Sequence, residues 1–146
     1  MASITKYNSW RENAENGVYP INWSAAGDTI KVMLVTSAYT PAAATHTTKS
    51  DITNEVTGTN YTARGEEVTT KSVAESGGTT TVDGDDVTWL QNAGGFTTAR
   101  YGVLYKDTGT DGTSPLVGYI DFTTDKGNVN GDLTIQWNAS GLYTIS

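Results

Sequence analysis

Ile30-Lys31-Val32-Met33-Leu34-Val35 is the stretch whose reading decides the fold. In a pleated strand Ile30, Val32 and Leu34 face one way, while Met33 and Val35 make the opposite face apolar too. A strand apolar on both faces lies centrally, or lies under a loop or a partner. The same alternation returns in Ala99-Arg100-Tyr101-Gly102-Val103-Leu104-Tyr105, in Leu116-Val117-Gly118-Tyr119-Ile120-Asp121-Phe122 and in Leu133-Thr134-Ile135-Gln136-Trp137. Turns rich in Gly, Asp, Asn and Thr separate these runs. The pattern predicts an all-β chain: an antiparallel β-sandwich or flattened barrel with one short N-terminal helix.

Residues 1–27 read as an N-terminal arm and short helix, and 28–146 as a single β-domain with a long loop at about 38–65. Ser3–Tyr7 is either a short first strand or a mobile arm. Ser9-Trp10-Arg11-Glu12 matches the S-x-x-E capping box, and Gly17 stands where a helix ends, so a helix is expected over about 10–16. Two turns of helix are unstable alone, so Trp10 is expected to anchor it to the sheet. Val18–Trp23 contains Pro20 and reads as an edge piece or lead-in loop. The 38–65 loop is long for a compact domain, and such loops tend to be functional or ordered by a partner. One helical turn is expected within it, near Ser50-Asp51-Ile52.

A chain of 146 residues is long enough to bury roughly 70% of its unfolded surface in one core. The formal charge of −7 argues against nucleic acid and against anionic lipid, and fits a partner with a basic patch. There is no cysteine, hence no disulfide or thiolate metal site. The first residues lack the apolar core of a signal peptide, and no stretch reaches transmembrane length. Synthesis in a cytoplasm without standard export is the expectation, which leaves the sequons at Asn22, Asn60 and Asn138 without their machinery.

The residues hold little that performs chemistry. His46 is the one histidine, and no G-x-S-x-G elbow accompanies it. Asp83/Asp85/Asp86 and Asp107/Asp111 could gather oxygen around Ca²⁺, but Asp-Gly is ordinary turn chemistry and the EF-hand pattern is not met. No spacing selects a pair of carboxylates for glycoside hydrolysis, and no phosphate-cradling loop opens onto a helix. The chain is therefore not expected to be an enzyme, and no catalytic residue, metal or cofactor is assigned. Trp89 and Trp137 follow the apolar faces of their strands and are expected in the core. Trp10, Tyr19 and Trp23 crowd the N-terminal segment, where they either cap the end of the sheet structure or face a partner.

Several blocks together resemble small structural proteins of tailed bacteriophages. They are Ile30 through Pro41, Asn54-Glu55-Val56-Thr57-Gly58-Thr59-Asn60-Tyr61-Thr62, Asp85-Asp86-Val87-Thr88-Trp89, Thr98 through Tyr105, and Gly131 through Trp137. The likeness covers about residues 28–146. It implies a virion component of the capsid decoration (cement) or head-fibre kind, bound outside the head as a homo-oligomer, a trimer, at a symmetry axis. The major capsid protein is then the partner, and the virion's outer surface the location. The contact residues expected are Ile4, Tyr7, Trp10, Tyr19 and Trp23 of the N-terminal region, with Tyr39 and Tyr61 of the long loop. The alternative is a host-surface or glycan-binding module on a fibre or tail, which requires Tyr39, Tyr61 and Tyr105 to line a shared open groove.

Overall fold

The computed structural model describes residues Met1 to Ser146. Five strands form the larger sheet: β1 (Thr5–Lys6), β2 (Ile30–Val35), β3 (Glu66–Glu67), β7 (Ala99–Lys106) and β8 (Leu116–Lys126), in the order β1-β8-β7-β2-β3. Across from it lie β10-β5-β4, made by Tyr143–Ile145, Thr79–Asp83 and Ser72–Ser76. The pair β6-β9, made by Val87–Trp89 and Leu133–Ile135, completes the second layer. Every pairing is antiparallel, and none of the three ladders closes on itself. The architecture is sandwich-like, not a closed barrel.

The apolar-on-both-faces reading of β2 holds. Ile30, Val32 and Leu34 join the main core with Leu104, Ile120, Val82, Trp89, Ile135 and Trp137. Met33 and Val35 belong to a second cluster on the other face, with Tyr7, Tyr39, Val103, Tyr105 and Leu116. Alternate residues of one strand thus feed two separate apolar layers. A bulge between Leu104 and Tyr105 shifts the β7–β8 register by one residue, so Leu116 joins Tyr119 on the outer face instead of Ile120 on the inner one.

The long loop is ordered by its own chain. It folds over the outer face of the large sheet and contributes Tyr39, Ala43 and Ile52 to the second cluster. Backbone bonds stitch it down: Thr36 N to Asn54 O, Val56 N to Leu34 O, and Lys49 N to Ser114 O. Its expected helical turn is a 3₁₀ turn at Lys49–Asp51, where the Asp51 carboxylate accepts from the Thr47 and Thr48 amides at 2.8 and 3.1 Å.

The N-terminal segment is part of the same core. Ile4 occupies the space beside Gly118, where a Cβ would sit 2.3 Å from its methyl carbon, so only glycine admits β1 at this distance. The helix α1 runs Ser9–Glu15, one residue earlier than the capping box implies, because Asn8 takes the N-cap position. Ser9 Oγ is buried without a partner, so the box does not form. Trp10 does anchor the helix: its ring meets Tyr143 edge-on at 5.0 Å. Val18–Trp23 forms no strand and is a lead-in loop, closed by Asp28, whose carboxylate takes the Asn22 amide at 2.7 Å. Leu133–Ile135 stops short of Trp137, whose backbone amide turns to the Asp86 carboxylate instead.

Candidate contact surface

The outer face of the large sheet gathers tyrosines because period two puts them there. Tyr101 and Tyr105 of β7 share a face, and Tyr119 stands opposite Val103 on β8. Tyr7 and Tyr39 pack onto them from the N-terminal segment and the loop. The Tyr7 and Tyr39 hydroxyls are 2.8 Å apart, and the Tyr39 hydroxyl is 2.8 Å from His46 Nδ1. If Tyr7 donates to Tyr39 and Tyr39 to Nδ1, both phenol hydrogens are used. In that arrangement His46 Nδ1 is the acceptor that ends the chain. Burial pushes the Tyr7 phenol far above its ordinary value, reinforced by the Tyr39 hydrogen bond; burial raises Tyr39 as well. Both stay protonated as hydrogen-bonding rings.

An ionic clasp holds the far end of the loop. Arg64 is bound by Asp107 and Asp111, Lys31 lies 3.1 Å from Asp107, and Lys49 lies 3.4 Å from Asp111. Burial would raise the Asp107 carboxyl, but the Arg64, Gly109 and Lys31 hydrogen bonds outweigh it and hold the group well below the usual range. Hydrogen bonds to Asp107 raise Arg64 in turn. Glu55 accepts from the Tyr61 hydroxyl at 2.7 Å and the Arg64 amide at 2.6 Å. The Tyr105 hydroxyl donates to the Arg64 carbonyl at 2.7 Å. The acids of the Asp83/Asp85/Asp86 group are engaged likewise: Asp85 accepts from the Thr69 and Thr70 hydroxyls, and Asp86 from the Trp137 amide. No three His, Cys, Asp or Glu side chains converge as a metal site would require.

Where the loop ends, the tyrosine layer comes to the surface. Tyr101 and Tyr119 are half-buried and meet edge-on at 6.3 Å. Tyr101 is backed by Tyr39 at 6.1 Å and Tyr119 by Tyr7 at 5.6 Å. The Arg100 guanidinium lies 5.5 Å from the Tyr101 ring and 2.9 Å from Asp121. This rim of two rings, one arginine and one carboxylate is preorganised by the buried rings beneath it.

Of the seven residues nominated from sequence, Tyr7, Trp10, Trp23 and Tyr39 lie inside the fold, with their rings covered by the chain's own packing. Ile4, Tyr19 and Tyr61 are half-buried; Ile4 and Tyr61 pack on the main core, and the Tyr19 hydroxyl reaches the Gly112 carbonyl at 3.4 Å. Tyr39 and Tyr105 are buried and Tyr61 lies on the opposite core, so the three share no open groove. Arg100, Tyr101 and Tyr119 escaped the sequence reading. The available signal was the period-two phase that aligns Tyr101, Tyr105 and Tyr119 on one face.

A second surface lies at the other layer. Trp10, Ile21, Trp23, Val73, Val82 and Ile145 help line a groove of about 460 Å³ between α1 and the β4–β5 hairpin, with Arg11 and Glu15 of the helix also on its wall. Comparison with protein-family models, curated proteins and solved structures finds no match to this chain.

Proposed function

We propose that the chain is a capsid decoration protein of a tailed bacteriophage, binding the outer surface of the assembled head and stabilising it. The observation that carries this reading is the Tyr101–Tyr119–Arg100 rim, half out of water on a sheet braced from both faces. Tyrosine and arginine are the side chains that dominate protein interfaces. Rings already fixed by Tyr7 and Tyr39 lose little freedom on docking. The phage-like blocks between residues 28 and 146 point the same way, and the formal charge of −7 suits a basic patch on the shell.

Such a protein acts by mass action. A ligand that binds only the assembled lattice lowers the free energy of that lattice. The major capsid protein is the partner, and each seat needs roughly 1,000 Å² of contact shared among its subunits.

The test is to mix purified protein with undecorated, expanded heads. Co-sedimentation and greater resistance of the heads to heat and low salt are expected. Tyr101→Ala combined with Tyr119→Ala should lower binding without unfolding the chain. Absence of binding by the unsubstituted protein discards the proposal. Glycan-array binding without head binding replaces it with a host-surface module on a fibre or tail.

A further inference from the structure

The second layer ends in a strand that has no neighbour. β4 pairs with β5 on one side only, and all five of its residues are exposed. Ser76 and Thr79 close the two-residue Gly77-Gly78 turn, whose φ values of 59° and 83° fit the type I′ hairpin. Counting back from that closing pair, Ser76, Ala74 and Ser72 turn their amides and carbonyls to β5. The Val82 carbonyl confirms the phase: it accepts from Leu142, away from β4. Val73 and Glu75 therefore present theirs outward. No proline or bulge blunts this edge, and Val73 is 49% exposed upon it.

We propose that two copies of the chain join here, β4 antiparallel to β4 of the second copy, across a two-fold axis centred on Val73. Side-chain chemistry selects this register. A two-fold at Val73 sets Val73 against Val73, with Lys71 against Glu75 of the other copy on both flanks. The competing two-fold at Ala74 sets Val73 against Glu75 twice, an apolar side chain against a carboxylate each time. Both partners of the charged pair have capacity left. Lys71 is 5% exposed, and its ammonium has only the Val68 carbonyl at 3.4 Å and Glu67 at 3.6 Å, against three donors. Reaching Glu75 of the second copy requires rotation of its four-carbon stem out of this buried position. One Glu75 oxygen accepts the Gly78 amide at 2.8 Å, and the other has no partner.

The groove beside α1 strengthens the choice of a second copy. Val73 lines it together with Trp23 and Val82, so the two-fold brings two such grooves side by side. A self-complementary edge closes in pairs, so it builds a dimer, unlike the trimer that the phage resemblance implies. This inference stands apart from the capsid reading, because no head is needed for the pairing.

The absence of cysteine makes the register directly readable. Across the proposed axis the two Val73 Cα atoms are about 5.5 Å apart, within disulfide reach. The two Ala74 Cα atoms are diagonal neighbours at roughly 7–8 Å, beyond it. Under mild oxidation Val73→Cys is expected to run as a covalent dimer and Ala74→Cys as a monomer. The unsubstituted protein should sediment at twice its 15.5 kDa chain mass. Val73→Lys, which sets like charges face to face, should sediment at the single mass with an unchanged circular dichroism spectrum. A single-chain mass for the unsubstituted protein at every concentration overturns the proposal, as does preferential cross-linking of Ala74→Cys. Protection of the β4 amides only when heads are present also overturns it, and gives the edge to the capsid.

Discussion

The two faces of the large sheet are made by alternate residues of the same strands, yet they are closed by different means. All four tryptophans lie in the inner cluster, under a second layer of strands. Tyr7, Tyr39, Tyr101, Tyr105 and Tyr119 occupy the outer cluster, under an irregular loop. Strands satisfy their backbone groups in their own ladders, so the cover on the inner face asks the core only for apolar volume. A loop leaves carbonyls and side-chain acceptors unpaired, and a phenol hydroxyl serves both needs at once. Tyr105 reaching the Arg64 carbonyl and Tyr39 reaching His46 are instances of this. The outer face is thus a polar-tipped apolar layer. Where the loop stops, the same tyrosines become a surface.

If that contrast is right, the largest loss comes from emptying the inner face. Trp89→Ala should cost about 3–5 kcal/mol, because the ring is fully buried between β6 and the large sheet. A loss below about 1 kcal/mol in urea denaturation would break the claim that this face is a packed core.

On the outer face the clasp is expected to matter next. Asp107 is 8% exposed, and Asp107→Asn leaves Arg64 and Lys31 short of their charge partner, at a cost of about 2 kcal/mol. The pH dependence has a definite sign. A carboxyl held low in the folded state adds stability above the unfolded carboxylate value, and that stability is lost as pH falls through the folded value. Unsubstituted protein should therefore lose this increment progressively below about pH 4, and the Asn variant should not. Parallel stability curves for the two proteins from pH 7 to pH 2 would refute the clasp.

A smaller effect is expected at the hydroxyl chain. Tyr39→Phe keeps the ring and removes the link between Tyr7 and His46, at about 1 kcal/mol. Its sharper readout is the His46 ring in NMR, whose Nδ1 resonance should move when the Tyr39 hydroxyl is removed. The smallest stability effect belongs to the rim. Arg100→Ala should leave the thermal midpoint unchanged while weakening head binding about tenfold. A shift in midpoint with unchanged binding would return Arg100 to a purely structural role.

The strands were legible in the residues themselves because period two is a local property. The two-faced character of β2, the core positions of Trp89 and Trp137, and the Gly77-Gly78 turn all follow from neighbours within a few positions. The contact residues were less legible. Trp10 and Trp23 looked available in a polar N-terminal stretch, but α1 carries the first and the lead-in loop the second onto Tyr143, at 5.0 and 5.6 Å. Ser9 had the sequence of a cap, and Asn8 took its place.

What the chain determined alone is alternation: which side chains share a face, and that one strand has two apolar faces. What only the tertiary structure decided is which cover lies on each face and where it ends. Alternation is set by backbone geometry between adjacent residues. The extent of the cover depends on contacts such as Arg64 with Asp107, made between segments far apart in the chain. Their pairing energy exists only after the sheet has brought them together. Whether Tyr39 or Tyr101 meets water was settled there.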